Sequence, residues 1–104
     1  MRTLQELKEL LNPDGSKNGH WTHVPVLKKS IVNLKRGDVV EEYIELHELY
    51  FDDNGDFLGI INTPSSVLGN DIEDLKLGLS LMLKSCGNPV ITEEEKDLIR
   101  NADE

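Results

Sequence analysis

Scarcity sets the first limits on this chain. Among its 104 residues there is one cysteine, and only five aromatic side chains are present: Trp21, Tyr43, Tyr50, Phe51 and Phe57. A lone Cys86 excludes an internal disulfide and fits a reducing compartment. With so few rings the core must be aliphatic, and a chain of this length buries roughly two-thirds of its unfolded surface, which leaves little room for a large active site. The longest uninterrupted apolar run is a few residues, so no bilayer span is expected. The N-terminus also lacks the basic, apolar and small-residue order of a secretion leader. The expectation is a cytoplasmic protein with no membrane partner. Glycine-rich phosphate loops and internal repeats are absent as well.

Cations are missing from the middle of the chain. Between Arg36 and Lys76 there is no Lys or Arg, while Asp38, Glu41, Glu42, Glu45, Glu48, Asp52, Asp53, Asp56, Asp71, Glu73 and Asp74 fall inside that window, and the formal net charge is −9. Such a field repels nucleic acid directly and attracts a basic protein, an attraction that salt weakens. Plain solubility is the simpler consequence of the same charge.

What is present reads as alternating elements. In Asn70 to Gly87, the residues Ile72, Leu75, Leu79, Met82 and Cys86 recur at steps of three and four, which stacks them on one stripe of a helix. Asn70 or Asp71 can cap its start, Glu73 and Asp74 suit its positive end, and Lys84, Gly87 and Pro89 mark its stop. Leu77, Leu81 and Leu83 widen the apolar surface, so the helix is expected to lie across a sheet, with Cys86 as a small core residue. Thr3 to Leu11 is a short amphipathic helix opened by a Thr3–Glu6 capping box, followed by a turn-rich and mobile segment, Asn12 to Gly19. Thr92 with Glu95 is a second capping box, starting a weak helix over Glu93 to Arg100.

Between the helices lie strands. His20 to His23 opens the first, with Trp21 placed to cover a core edge or anchor a protein contact, and Val24 to Leu34 continues it with Pro25 at its start or on an edge. Lys35-Arg36-Gly37-Asp38 turns into Val39 to Phe51, and the Asp52–Asp56 loop leads to Phe57 to Asn62. Along the long strand Ile44, Leu46 and Tyr50 share a face with Glu48, whereas Tyr43, Leu49 and Phe51 share the other with Glu45 and His47. Neither face is purely apolar, so both are partly covered or a bulge changes the face partway.

Several chemical motifs fail on their own terms. His20 and His23 have no third ligand nearby, and the calcium-like Asp52, Asn54 and Asp56 lack the downstream carboxylate that such a loop needs, so neither a metal nor a cofactor is expected. Arg36-Gly37-Asp38 is an adhesion tripeptide too short to carry weight without an export signal. Ser65 and Ser66 have no histidine near them in sequence, and His47 and Glu48 are strand neighbours that face opposite sides.

From Tyr43 to Glu95 the chain resembles a family of short, uncharacterised acidic bacterial proteins. They carry an Ile-His-Glu-Val-Tyr-Tyr-Asp strand, an Asp-Gly hairpin, an Asn-Pro or similar turn, a Leu-rich helix and a Lys-Pro-Val-Leu tail followed by acids. The corresponding residues are Leu46-His47-Glu48-Leu49-Tyr50-Phe51-Asp52, Asn54-Gly55, Thr63-Pro64, Asp71 to Leu83 and Asn88-Pro89-Val90-Ile91. The chain departs from that pattern with Ile60-Ile61-Asn62 in place of a Trp-Thr pair, and with an added N-terminal helix. More distantly, its strands followed by Gly69-Asn70-Asp71-Ile72-Glu73-Asp74-Leu75 are similar to the N-terminal domain of HicB antitoxins, which implies a sheet-and-helix fold that occludes a small RNase. The DNA-binding segment usual in HicB has no counterpart after Gly87.

The combined expectation is one α+β domain over residues 1–104: three antiparallel strands packed on one long helix, with short N- and C-terminal helices. Residues 1–19 form the first helix and loop, 20–91 the core, and 92–104 a weak tail helix. The expected function is non-enzymatic, an antitoxin-like or inhibitor module docking a basic protein partner through Glu45, His47, Glu48, Trp21 and Tyr50. A phage-type nucleic-acid mimic that blocks a defence protein, and a small hydrolase using His47 or His23 with a carboxylate, are the alternatives. An exposed edge at Val24 to Leu34 would also allow a homodimer.

Overall fold

Two long strands joined by a two-residue turn form the frame of the molecule. The computed structural model describes residues 1–103. In chain order it contains helix α1 (Leu4–Leu11), strands β1 (His20–Leu34), β2 (Gly37–Phe51) and β3 (Phe57–Ile60), helix α2 (Ile72–Ser85), strand β4 (Ile91–Thr92) and helix α3 (Glu93–Arg100). The sheet order is β3-β2-β1-β4. The β1–β2 ladder runs without a break from His20↔Phe51 to Leu34↔Gly37, and β3 adds antiparallel to β2 with a register shift at Tyr50/Phe51. β4 pairs parallel to β1 at Val26 and Leu27. The fold is therefore α+β, but with a mixed four-stranded sheet in place of three antiparallel strands.

Residues opposite one another in an antiparallel ladder share a face. Val24 and Val26 of β1 thus join Leu49 and Phe51 of β2 and Phe57 and Ile60 of β3 on one side, where Leu7 of α1, Ile91 and Ile99 of α3 complete the core. Full burial of each such side chain contributes about 1.5–3 kcal/mol. The core face of β2 is therefore the one that carries Glu45 and His47. α1 and α3 touch each other, and α3 also packs on β1 and β3.

Both capping boxes form: Thr3 with Glu6 opens α1, and Thr92 with Glu95 opens α3. The tail helix is more than a weak appendage, since Glu95, Lys96 and Ile99 are all buried. The Asn12–Gly19 loop is pinned, with Asn12 Nδ2 donating to the Ser16 and Gly55 carbonyls and the Gly19 amide donating to Asp53 Oδ1 at 3.1 Å. Gly55 sits at φ +79° with the Ser16 carbonyl where a Cβ would stand, so this close approach admits only glycine.

The role expected of α2 is the main correction. Asp71 caps it as expected, its side chain accepting from the Asp74 amide at 2.8 Å. The stripe, however, is not buried: Leu75 and Met82 are half-covered, and Ile72, Leu79, Leu83 and Cys86 lie open to solvent. Leu77 and Leu81 on the other side are exposed too. Only its C-terminal end is tied to the sheet, where Asn88 Nδ2 donates to the His23 carbonyl at 2.7 Å and to Thr22 Oγ1 at 3.3 Å. Cys86 is accordingly a surface residue. Among the described residues no helix is long and apolar enough to cross a membrane.

Candidate functional site

The five residues expected to bind a partner are divided by the pleat. Glu45 and His47 face α3; Trp21, Glu48 and Tyr50 face the opposite side, where Trp21↔Tyr50 and His23↔Glu48 are ladder partners. The two groups make different kinds of site.

On the α3 side the polar groups are enclosed. His47 has no exposed surface, its Nδ1 lies 2.7 Å from the Ile61 carbonyl, and its Nε2 lies 2.9 Å from Glu45 Oε2. Both neighbours carry acceptor oxygens, so the ring bridges the Ile61 carbonyl and the Glu45 carboxylate. Lys28, two positions beyond Val26 on the same face, donates to Glu93 Oε1 at 3.0 Å; burial works against its charge, but Glu93, Lys96 and Glu45 together raise its pKa. Lys96, almost wholly buried, donates to Asn62 Oδ1 at 2.8 Å, and burial together with the nearby Lys28 lowers its pKa. Among the described residues no buried side-chain nitrogen or oxygen is left without a partner. This seam fastens α3 and the segment after β3 to the sheet, and a fully covered His47 offers nothing for a partner or substrate to reach.

On the other side Trp21 is exposed, Glu48 and Tyr50 are half-buried, and His23 beneath them is buried. Trp21 is 48% exposed, its ring centroid 6.4 Å from that of Tyr50 and 5.3 Å, edge-on, from that of His23. Tyr50 Oη donates to Glu48 Oε2 at 2.8 Å, a bond that raises the Tyr50 pKa and holds the carboxylate beside the rings. A groove of about 420 Å³ runs between this patch and the end of α2, lined by Trp21, His23, Leu81, Lys84 and Asn88 among others. Rings flanked by a fixed carboxylate suit a cationic side chain, which gains from the ring quadrupole and from the charge together.

One contact went unread in the sequence. Ser65 Oγ lies 2.9 Å from His23 Nδ1, and the Ser65 amide donates to the Leu46 carbonyl at 2.7 Å. Forty-two positions separate the pair, so no local pattern signals it. A hydrolytic pair needs a third group to orient the base, and no carboxylate is hydrogen-bonded to His23 among the described residues. His23 and His47 stand on opposite faces of the sheet and do not converge. Asp52 Oδ1 accepts from the Asn54 and Asp56 amides at 2.9 and 3.0 Å, which is turn geometry, and no described cluster of His, Cys, Asp and Glu has the makings of a metal site.

No family model matches the chain, and no curated protein or solved structure matches it significantly.

Proposed function

We propose that the chain is a non-enzymatic, cytoplasmic binding module that receives a basic side chain of a protein partner on the Trp21–Tyr50–Glu48 patch. The observation that carries this reading is the half-exposed Trp21 ring beside Tyr50, with Glu48 held at the rim by the Tyr50 hydroxyl at 2.8 Å. Aromatic anchors account for much of the energy in protein contacts, and a carboxylate next to them selects for Lys or Arg. The cation-free window from Gly37 to Leu75 adds long-range attraction for such a partner. An antitoxin-like or inhibitor role fits this chemistry, since small nucleases present basic surfaces to their substrates.

Affinity capture followed by salt elution tests the reading. Trp21→Ala and Glu48→Lys should each lower retention of a captured basic protein at least about tenfold, equivalent to about 1.4 kcal/mol. Glu45→Lys, on the opposite face, should affect folding more than retention. Retention unchanged by both Trp21→Ala and Glu48→Lys removes the patch as the docking site.

A further inference from the structure

The chain exposes more surface than its mass accounts for. A compact monomer of 11.7 kDa exposes about 5,900 Å², whereas this chain exposes 7265 Å², an excess of roughly 1,400 Å². The Cα radius of gyration is 15.6 Å where about 13 Å is usual for a chain this long, and the long dimension reaches 52 Å. Two projections stand out from the core. Beyond Lys28 on β1 and Glu45 on β2 the hairpin continues as a two-stranded ribbon, with no described strand on either edge. It bares Ile31 and Ile44 on one face and Val39 and Tyr43 on the other. α2 is the second projection, with Leu79 and Leu83 open.

We infer that a second copy of this chain covers the ribbon and α2, making the protein an obligate homodimer. A standard interface removes about 800 Å² per partner and obligate homodimers more, so the excess matches what such a dimer would bury. The bare apolar side chains are chiefly aliphatic, set among charged residues, as in homodimer interfaces; contacts with unlike partners are richer in aromatic and arginine anchors. An uncovered two-stranded ribbon is marginal in water, so its cover must be permanent. Charge is self-complementary as well. The ribbon tip carries Lys35 and Arg36, and the first turn of α2 carries Glu73 and Asp74, all exposed, so a twofold axis can bring tip to helix start twice. β4 occupies the edge of β1 at Val26 and Leu27 alone, so from Lys29 onward the edge pairing expected from Val24–Leu34 stays open to a second copy beside the bare faces of ribbon and helix. The Trp21 patch lies at the opposite end of the hairpin from the ribbon tip, and the C-terminal end of α2 borders both surfaces.

Sedimentation equilibrium with hydrogen exchange tests it. The native chain should have twice its 11.7 kDa mass, and Ile44→Glu and Leu79→Glu should each shift the midpoint of dissociation at least about tenfold. If either variant fails to fold, the native chain still decides. Amides of residues 37–44 should exchange slowly at about 100 µM, and faster on dilution below the midpoint. A one-chain mass at the higher concentration, or fast exchange at every concentration, overturns the inference and assigns the surface to another occupant. A dimer of unchanged affinity in both folded variants overturns it equally.

Discussion

Arg2 and Glu95 meet fork to fork, Nε to Oε2 at 2.7 Å and Nη2 to Oε1 at 2.9 Å, across 93 positions of sequence. The Arg2 amide also donates to Oε2 at 3.2 Å, and Oε1 accepts from the Thr92 amide at 3.0 Å. One carboxylate therefore caps α3 and ties the segment before α1 to it.

Acid should loosen this clasp. The Arg2 side-chain bond, opposed by burial, lowers the Glu95 pKa from 4.5 to about 2. A depressed carboxylate adds stability that is complete above its unfolded pKa and disappears as pH falls through the folded one. Unfolding free energy should thus fall by roughly 3 kcal/mol between pH 5 and 2 on account of this group. Denaturant titrations across that range should show the decline, and Glu95→Gln should flatten it while lowering stability near neutrality.

His47→Leu should leave the Ile61 carbonyl and the Glu45 carboxylate without the ring that bridges them. The expected loss is about 2–3 kcal/mol, which for a domain of this size lowers Tm by about 10 °C or more. His47→Gln, which retains one donor, should lose less. Thermal melts followed by circular dichroism would show the order, and equal losses in the two variants would argue that packing alone sets the effect.

Two glycines around α2 should respond in opposite directions. A Cβ at Gly69 would stand 2.5 Å from the Leu75 backbone nitrogen, so Gly69→Ala must push the helix start away, with an expected loss of about 1–3 kcal/mol. At Gly78, inside the helix, the nearest atom is the Leu68 carbonyl oxygen at 3.7 Å, and Gly78→Ala should gain up to about 1 kcal/mol of helix propensity. Denaturant midpoints of the two single variants check the contrast.

Local chemistry made the elements legible: Thr3 with Glu6, Thr92 with Glu95, the Asp71 cap and the Asn54-Gly55 turn all act within a few residues of themselves. The position of α2 was not legible. Ile72, Leu75, Leu79 and Met82 announce a stripe that seeks cover, yet the same spacing serves cover from within the chain or from outside it. α3 looked dispensable because its strongest tie, Glu95 to Arg2, spans nearly the whole sequence. The pleat did separate Glu45 and His47 from Glu48 and Tyr50 in advance. What surrounds the first pair comes from three other segments: Ile61 and Asn62 after β3, Lys28 of β1 and Glu93 of α3, with Ile61 bonded to His47, Lys28 to Glu93 and Asn62 to Lys96.

The latch that β4 and α3 form on β1 also has a consequence for synthesis. Ile91 and Ile99 complete a core whose other walls are made by residue 60, so a nascent chain shorter than about a hundred residues holds the long hairpin with its inner side still wet. Translation pauses before Ile99 has emerged would prolong the interval in which that side stays wet.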